Sequence, residues 1–279
     1  MRKDLQYALR ALRRSPGFTL SALLALTLGI GANTAVFSLV YATLLKPLPY
    51  AEPNRLVVLY ERNARDGIER GEISPGTFAD WRARSRTLES LALYTRGDAL
   101  WSFGDVSDIV PIASVSPALF SLLRANPMLG QTFRPEADQP KPDGDRGDVV
   151  IGYTLWQRRF SGSADAIGQV IRVEGRTPLR IIGVMPRGFA FPERTEAWTN
   201  LPILRPIGPG ERQVRYYRAI GRLAPAVTLA DARVELAALS SQLELEQPRS
   251  NAGWTSQIEG LSESARHAER PALLALFGA

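Results

Sequence analysis

The chain has 279 residues, 45% of them hydrophobic, with 23 Gly, 20 Pro, no Cys and a single His, His267. That mix excludes a disordered tail and a fibre, and the length allows one large domain or two small ones. Without Cys there are no disulfides, thiolate nucleophiles or Cys-ligated zinc sites, and a lone His excludes two-His metal sites and argues against a His-based triad. The net charge of +6 is unevenly spread: Arg2, Lys3, Arg10, Arg13 and Arg14 against Asp4 give residues 1–14 a charge of +4, leaving +2 for the rest. The body is nearly neutral, so the high pI makes no case for nucleic acid as a partner.

Leu5, Ala8, Leu9 and Leu12 recur at helical spacing, with basic residues on the other faces. Residues 1–17 are therefore expected as a basic amphipathic helix on the cytoplasmic face of a membrane. From Phe18 to Leu45 the chain carries no charge over 28 residues. About 20 apolar residues cross the hydrocarbon core, so 18–45 reads as a transmembrane helix in the lipid bilayer. Three arginines precede it and only Lys46 follows closely, which places the N-terminus in the cytoplasm and the remainder outside. A cleaved signal peptide is the competing reading; its apolar run should be about 7–15 residues and end in an A-x-A site, which Val40-Tyr41-Ala42 matches poorly. Ala25, Gly29 and Asn33 recur every four residues, as do Gly31 and Ala35, a spacing that admits a second helix or simply reflects membrane-helix composition.

Lys46-Pro47-Leu48-Pro49-Tyr50 is a stiff exit linker. A strand is expected over 55–60, then a helix opened by Ser74-Pro75 and carrying Phe78 and Trp81. A second strand over 109–115 leads to a short helix with Leu119, Phe120 and Leu123, ending before Pro127 and Gly130. Residues 134–148 should form an exposed loop, followed by a strand over 148–151 and a helix with Trp156 and Phe160. Segments 169–174 and 179–185 read as a hairpin with Gly175 near its turn, and 216–223 as another strand. Thr228 and Asp231 form a capping box for a helix to Glu246 with an Ala232, Leu236, Leu239, Leu243 stripe. Pro248 stops it, and 254–261 returns as a strand. Strands and helices without a βαβ rhythm predict an α+β domain over 46–264. The apolar residues 271–279 are too few to cross a bilayer and form either a short terminal helix or, with 265–270, the start of a second transmembrane helix cut off by the end of this sequence.

No chemistry is legible. None of the three lysines, Lys3, Lys46 and Lys141, follows a Gly, so there is no phosphate loop, and Gly29-Ile30-Gly31 lies inside the apolar run. Glu136, Asp138, Asp143, Asp145 and Asp148 lack the Gly and Glu that a calcium loop requires at its sixth and twelfth positions, and read as a solvated loop. Arg82, Arg84 and Arg86 read as a solvated helix end, His267 as a surface residue, and Trp81, Trp156, Trp198 and Trp254 as core. No catalytic, cofactor-binding or metal-ligating residue is expected, and the chain is expected not to be an enzyme.

One resemblance runs through most of the chain. Its residues are Ser15-Pro16-Gly17-Phe18-Thr19, Leu28 to Phe37 (LGIGANTAVF), Leu48-Pro49-Tyr50 through Pro53-Asn54-Arg55-Leu56-Val57, and Phe78-Ala79-Asp80-Trp81-Arg82. They continue with Val115 to Phe120 (VSPALF), Pro127-Met128-Leu129-Gly130, Leu155-Trp156 with Phe160, Ile167-Gly168, Ile182 to Pro186 (IGVMP) and Gly221-Arg222-Leu223. In this order they resemble the N-terminal half of MacB/FtsX-type ABC transporter permeases, including the large duplicated permeases of acidobacteria. The resemblance implies an anchoring helix followed by a two-lobed, mixed α+β periplasmic core domain in the bacterial inner membrane. It further implies later spans, a partner ABC ATPase subunit, a second permease half or homodimer partner, and mechanotransmission or export driven by cytoplasmic ATP hydrolysis. A single-span external sensor or binding module is the alternative, and a membrane-tethered hydrolase a third.

Overall fold

The computed structural model describes residues 16–40, 48–103, 106–134, 147–174, 178–201 and 210–267, apart from the side chains at 32 and 35–40. Two units are distinguished: residues Met1–Pro47 with Arg266–Ala279, and Leu48–Ala265. In the first, helix α1 (Pro16–Val40) is 25 residues long and has no acidic residue in its first turn or basic residue in its last. Phe18, Leu20, Leu23, Leu24, Leu26, Leu28 and Ile30 are all exposed on it, so its apolar surface is spread around the helix. Among the described residues no helix is long and apolar enough to cross a membrane. The expected span runs past Val40 into residues 41–45, which lie outside the described residues, as do 268–279; the amphipathic helix expected over 1–17 also falls outside them except at Pro16 and Gly17, which open α1.

The second unit is built on one mixed 11-stranded sheet. In chain order its elements are β1 (Leu56–Asn63), β2 (Ile68–Gly71), α2 (Pro75–Arg84), β3 (Leu88–Phe103), β4 (Val106–Val115), α3 (Ala118–Leu122) and β5 (Leu129–Gly130). Then come β6 (Gly147–Ile151), α4 (Tyr153–Phe160), β7 (Val170–Val173), β8 (Leu179–Val184), β9 (Ala197–Asn200), β10 (Arg218–Leu223), α5 (Leu229–Glu246), α6 (Pro248–Asn251) and β11 (Trp254–Gly260). Residues 261–267 are helical. The strand order is β11-β1-β10-β3-β4-β9-β6-β8-β5, with β2 beside β1 and β7 bridging β3 and β8. Most pairs are antiparallel, while β4–β9 and β6–β8 are parallel.

Strand alternation decides the layers. On β1, Leu56 and Val58 face one side and Val57 and Leu59 the other; on β3, Ala92 and Tyr94 oppose Leu91 and Leu93. One face is covered by α3 and by Met185, Phe191 and Trp198 in a single cluster spanning the sheet. The opposite face is covered in two halves, by α2 and α5 over β1, β3 and β10, and by α4 over β4, β6 and β8. The two halves share one continuous sheet through the β3–β4 hairpin, whose register runs unbroken from Tyr94↔Val115 to Phe103↔Val106.

Local signals operate as the sequence predicts. The Ser74 side chain accepts from the Thr77 amide with Pro75 in the first turn, and the Thr228–Asp231 capping box is complete. Strand β11 lies at the sheet edge, and α5 blocks its outward polar groups: Ser240 Oγ accepts from the Ser256 amide at 3.0 Å, and Arg233 donates to the Ile258 carbonyl at 3.2 Å. Strands β2, β3, β5 and β9 are additions to the expected set. β3 is the longest strand among the described residues, and its apolar pattern is interrupted at Arg96, Gly97 and Asp98, where it passes from the cluster holding Leu91 and Leu93 to the one holding Trp101.

Candidate functional site

The residues singled out in the sequence fall into ordinary structural places. Glu136, Asp138, Asp143 and Asp145 lie outside the described residues; Asp148 pairs with Arg180 at 3.0 Å. Among the described residues no group of three or more His, Asp or Glu is placed to hold a metal ion. Arg84 is bound by Glu246 at 2.8 Å, and the Arg86 amide donates to Glu235 at 2.8 Å, so the end of α2 is tied to α5. His267 is exposed in the last described helix. Trp81, Trp156 and Trp198 are buried, as is Trp101. Trp254 departs from the core reading: it is half-buried and carries the Arg215 guanidinium 3.6 Å above its ring. A cleft of about 420 Å³ runs between Phe103, α4 and β7, where Arg159 lies over the Phe103 ring and pairs with Asp108 at 2.7 Å.

Two polar constellations are built into the core, and sequence spacing revealed neither. The first is centred on Glu61, on β1 and almost fully buried. Its carboxylate meets the Arg215 guanidinium at 3.1 Å and accepts from the Ser74 amide at 2.9 Å and the Thr77 hydroxyl at 2.9 Å. Arg215 also donates to the Ser250 carbonyl at 2.8 Å. This single group thus joins β1, the N-terminus of α2, the segment before β10, and α6. Burial pushes the Glu61 carboxyl above its ordinary range despite the nearby guanidinium, and burial likewise lowers Arg215.

The second lies where the polypeptide enters the unit. Arg222 on β10 is 1% exposed and donates to the Leu122 carbonyl at 2.7 Å and the Ala51 carbonyl at 2.9 Å. Arg55 donates twice to the Leu223 carbonyl, at 3.0 and 2.7 Å, and pairs with Glu89. Glu52 is shared among Arg55 at 2.9 Å, Arg222 at 3.5 Å and Arg124. Burial, then the like charges of Arg124 and Arg55, lower the Arg222 pKa.

The entry and exit of the unit are neighbours. β1 and β11 pair antiparallel from Val57↔Gly260 to Asn63↔Trp254, so the start of the first strand lies against the end of the last. Leu48 and Tyr50 pack on the cluster that contains Leu261, and the Tyr60 hydroxyl bonds the Ser264 hydroxyl at 2.7 Å. An α+β unit whose chain enters and leaves side by side can be inserted between two segments of a larger protein without separating them.

This architecture is shared with the external domains of permeases. The periplasmic region of MacB from Actinobacillus actinomycetemcomitans superposes with a TM-score of 0.55 at 12% identity, over 78% of this chain and 94% of that one. A domain of a putative permease protein from Porphyromonas gingivalis gives 0.55 at 13%, over 77% and 93%. The extracellular domain of the noncanonic ABC-type transporter YknZ from Gram-positive bacteria gives 0.53 at 9%, over 72% and 99%. The sequence profile of the MacB-like periplasmic core domain matches residues 19–239, so the chain belongs to that family. No curated protein matches it in sequence.

Proposed function

We propose that the chain is the anchor and external core domain of an ABC transporter permease, without chemistry of its own, and that it moves when a partner ATPase hydrolyses ATP in the cytoplasm. The observation that carries this reading is the Val57↔Gly260 pairing. It brings the polypeptide in and out at one end of the sheet, as a domain inserted between two membrane segments requires. The exposed apolar surface around α1 supports a bilayer as its environment, since seven large apolar side chains facing water would be costly. Export and mechanical signalling both follow from such motion, and a second permease half or a second copy completes the assembly.

The test has two readouts. The full-length gene product, solubilised from its own membrane, should co-purify with a Walker-containing ATPase. A cysteine placed at exposed Leu245, in a chain that has no other, should react with a membrane-impermeant maleimide in intact spheroplasts. Repeated recovery without an ATPase, with the cysteine still labelled, would favour a single-span external sensor. A cysteine that reacts only after lysis would overturn the orientation.

A further inference from the structure

The antiparallel β1–β11 pair has a mechanical weakness. Its hydrogen bonds run from strand to strand, along the direction in which the two chain ends would separate, so a displacement that parts residue 48 from residue 265 loads them one after another, starting at the Val57↔Gly260 end. Each such bond contributes only about 1 kcal/mol net, and bonds broken in sequence resist far less than bonds broken together. A domain driven through its chain ends would peel apart along this seam unless the load entered elsewhere.

The entry segment provides another route. Before the chain reaches β1, Ala51 is held by Arg222, and Arg55 holds the Leu223 carbonyl. Both attachments are on β10, an interior strand flanked by β1 and β3. Arg222 also grips the Leu122 carbonyl at the end of α3. Glu52, in the left-handed region at φ 48°, sits under three guanidinium groups, from the entry segment, from β10 and from Arg124 after α3. Tyr50 adds edge-on contacts to Phe189 and Phe191 at ring separations of 6.3 and 6.1 Å. A guanidinium with 1% exposure is an expensive way to fill a core, because its hydration is lost, whereas a Met or Leu of similar reach would bury without that penalty. What only the guanidinium offers is a planar fork that binds two carbonyls from separate segments at once.

We infer that Arg222 and Glu52 form a strain clamp, which passes load arriving through residues 48–52 to the middle of the sheet and to α3, bypassing the β1–β11 seam. The inference rests on the reading that the flanking segments move. It adds the element that makes the core domain follow that motion as one body.

The chain contains no cysteine, so handles can be attached at Pro47→Cys and Arg266→Cys in the full chain, held in detergent, and pulled in an optical trap. Arg222→Met should lower the first rupture force along this axis to about half the wild-type value, because charge-assisted bonds at the load point are lost and forced unfolding follows the unfolding rate. Handles at Met128→Cys and Leu245→Cys, which load the domain away from the entry segment, should show a much smaller change. An equal loss along both axes would reduce Arg222 to a core residue that merely stabilises, and no loss along the first axis would overturn the clamp. Should Arg222→Met fail to fold, Glu52→Gln, at a half-exposed position, removes the shared carboxylate, and the same two comparisons decide. ATPase co-purification is read separately, so a failed clamp and a failed permease reading are distinguishable.

Discussion

Gly130 and Gly183 face each other across the short β5–β8 pair, and neither leaves room for a side chain. Gly130 has φ +69°, and a Cβ there would lie 2.2 Å from the Ile182 carbonyl oxygen; a Cβ on Gly183 would lie 2.2 Å from that of Gln131. Both distances are far inside van der Waals contact, and both obstacles are main chain, which cannot swing aside. The two glycines belong to motifs far apart in the sequence, Pro127-Met128-Leu129-Gly130 and Ile182-Gly183-Val184-Met185, and the pairing supplies the physical reason for both.

Gly130→Ala and Gly183→Ala are therefore each expected to destabilise the core domain by at least about 2 kcal/mol, since a left-handed backbone, a main-chain clash or both must be relieved. The double variant should cost less than the sum, because a single separation of β5 from β8 relieves both. Urea unfolding followed by tryptophan fluorescence measures this. Additive losses would mean that the two clashes are relieved independently.

The Glu61–Arg215 pair yields a stability cycle. Glu61→Leu strands a guanidinium that is only one-tenth exposed and should cost about 3 kcal/mol or more. Glu61→Leu with Arg215→Leu should recover at least about 1 kcal/mol relative to the sum of the single losses, since neither buried charge is then left alone. Strict additivity would show that the two side chains do not depend on each other. The Ser74 amide and Thr77 hydroxyl lose their acceptor in both Glu61 variants, so that loss cancels from the coupling energy.

The same carboxyl makes a pH prediction whose sign follows from burial. The folded protein holds the Glu61 proton to higher pH than the unfolded chain does, whose ordinary value is 4.5. Its contribution is therefore most favourable at or below 4.5 and declines as pH rises through the folded pKa. Glu61→Gln cannot titrate, so wild type should gain on this variant as pH falls from 7 toward 4.5. Asp108 and Glu246, held low mainly by Arg159 and Arg84, act in the opposite sense but are common to both proteins and cancel from the difference. A wild-type advantage that shrinks on acidification would mean that Arg215 outweighs burial.

How much of this was legible depends on the range of each interaction. Ser74-Pro75 and Thr228 with Asp231 act within one helical turn, so both helices begin where the sequence predicts. β1, β6 and β8 carry compact apolar runs that read as strands. β9 was hidden because its four residues depend on parallel pairing with β4, far away in sequence. The core polar groups were hidden for the same reason. Arg222 is separated from Ala51 by 171 positions and Glu61 from Arg215 by 154, and nothing local marks one arginine among so many as buried. Trp254 read as core from its neighbours, yet it sits near the end of an edge strand, where Arg215 covers it instead of apolar packing. The family, by contrast, was readable from the order of motifs such as the one ending at Gly130, whose members are held by backbone geometry.

The capping box at the start of α5 gives a local test with a non-local consequence. Thr228 Oγ1 accepts from the Asp231 amide at 3.2 Å and Asp231 accepts from the Thr228 amide at 2.9 Å. Thr228→Ala should cost about 1 kcal/mol. The effect should spread beyond the helix, because α5 blocks the outward groups of β11 through Ser240 and Arg233. Hydrogen exchange should rise at the amides of Asp231 and Ala232 first, which are bonded to Thr228, and at Ser256 next, with β6 and β8 unchanged. Faster exchange confined to the first turn would show that α5 shields β11 without help from its cap.

The register of the seam between the chain ends is itself open to a covalent check. Arg62 and Thr255 are directly opposed across β1 and β11 and both are exposed, whereas Ser256 is opposed to Glu61. Paired antiparallel residues bring their Cα atoms to about 5.5 Å, within the range a disulfide spans. Arg62→Cys with Thr255→Cys should therefore oxidise readily to an intramolecular disulfide in a chain with no competing thiol, seen as a two-hydrogen mass loss that a reductant restores. Arg62→Cys with Ser256→Cys places the thiols on opposite faces of the sheet and should stay reduced, because a shift of one residue reverses side-chain direction. If the second pair oxidised and the first did not, β11 would be displaced by one residue, and the Val57↔Gly260 adjacency that brings the chain ends together would be displaced with it.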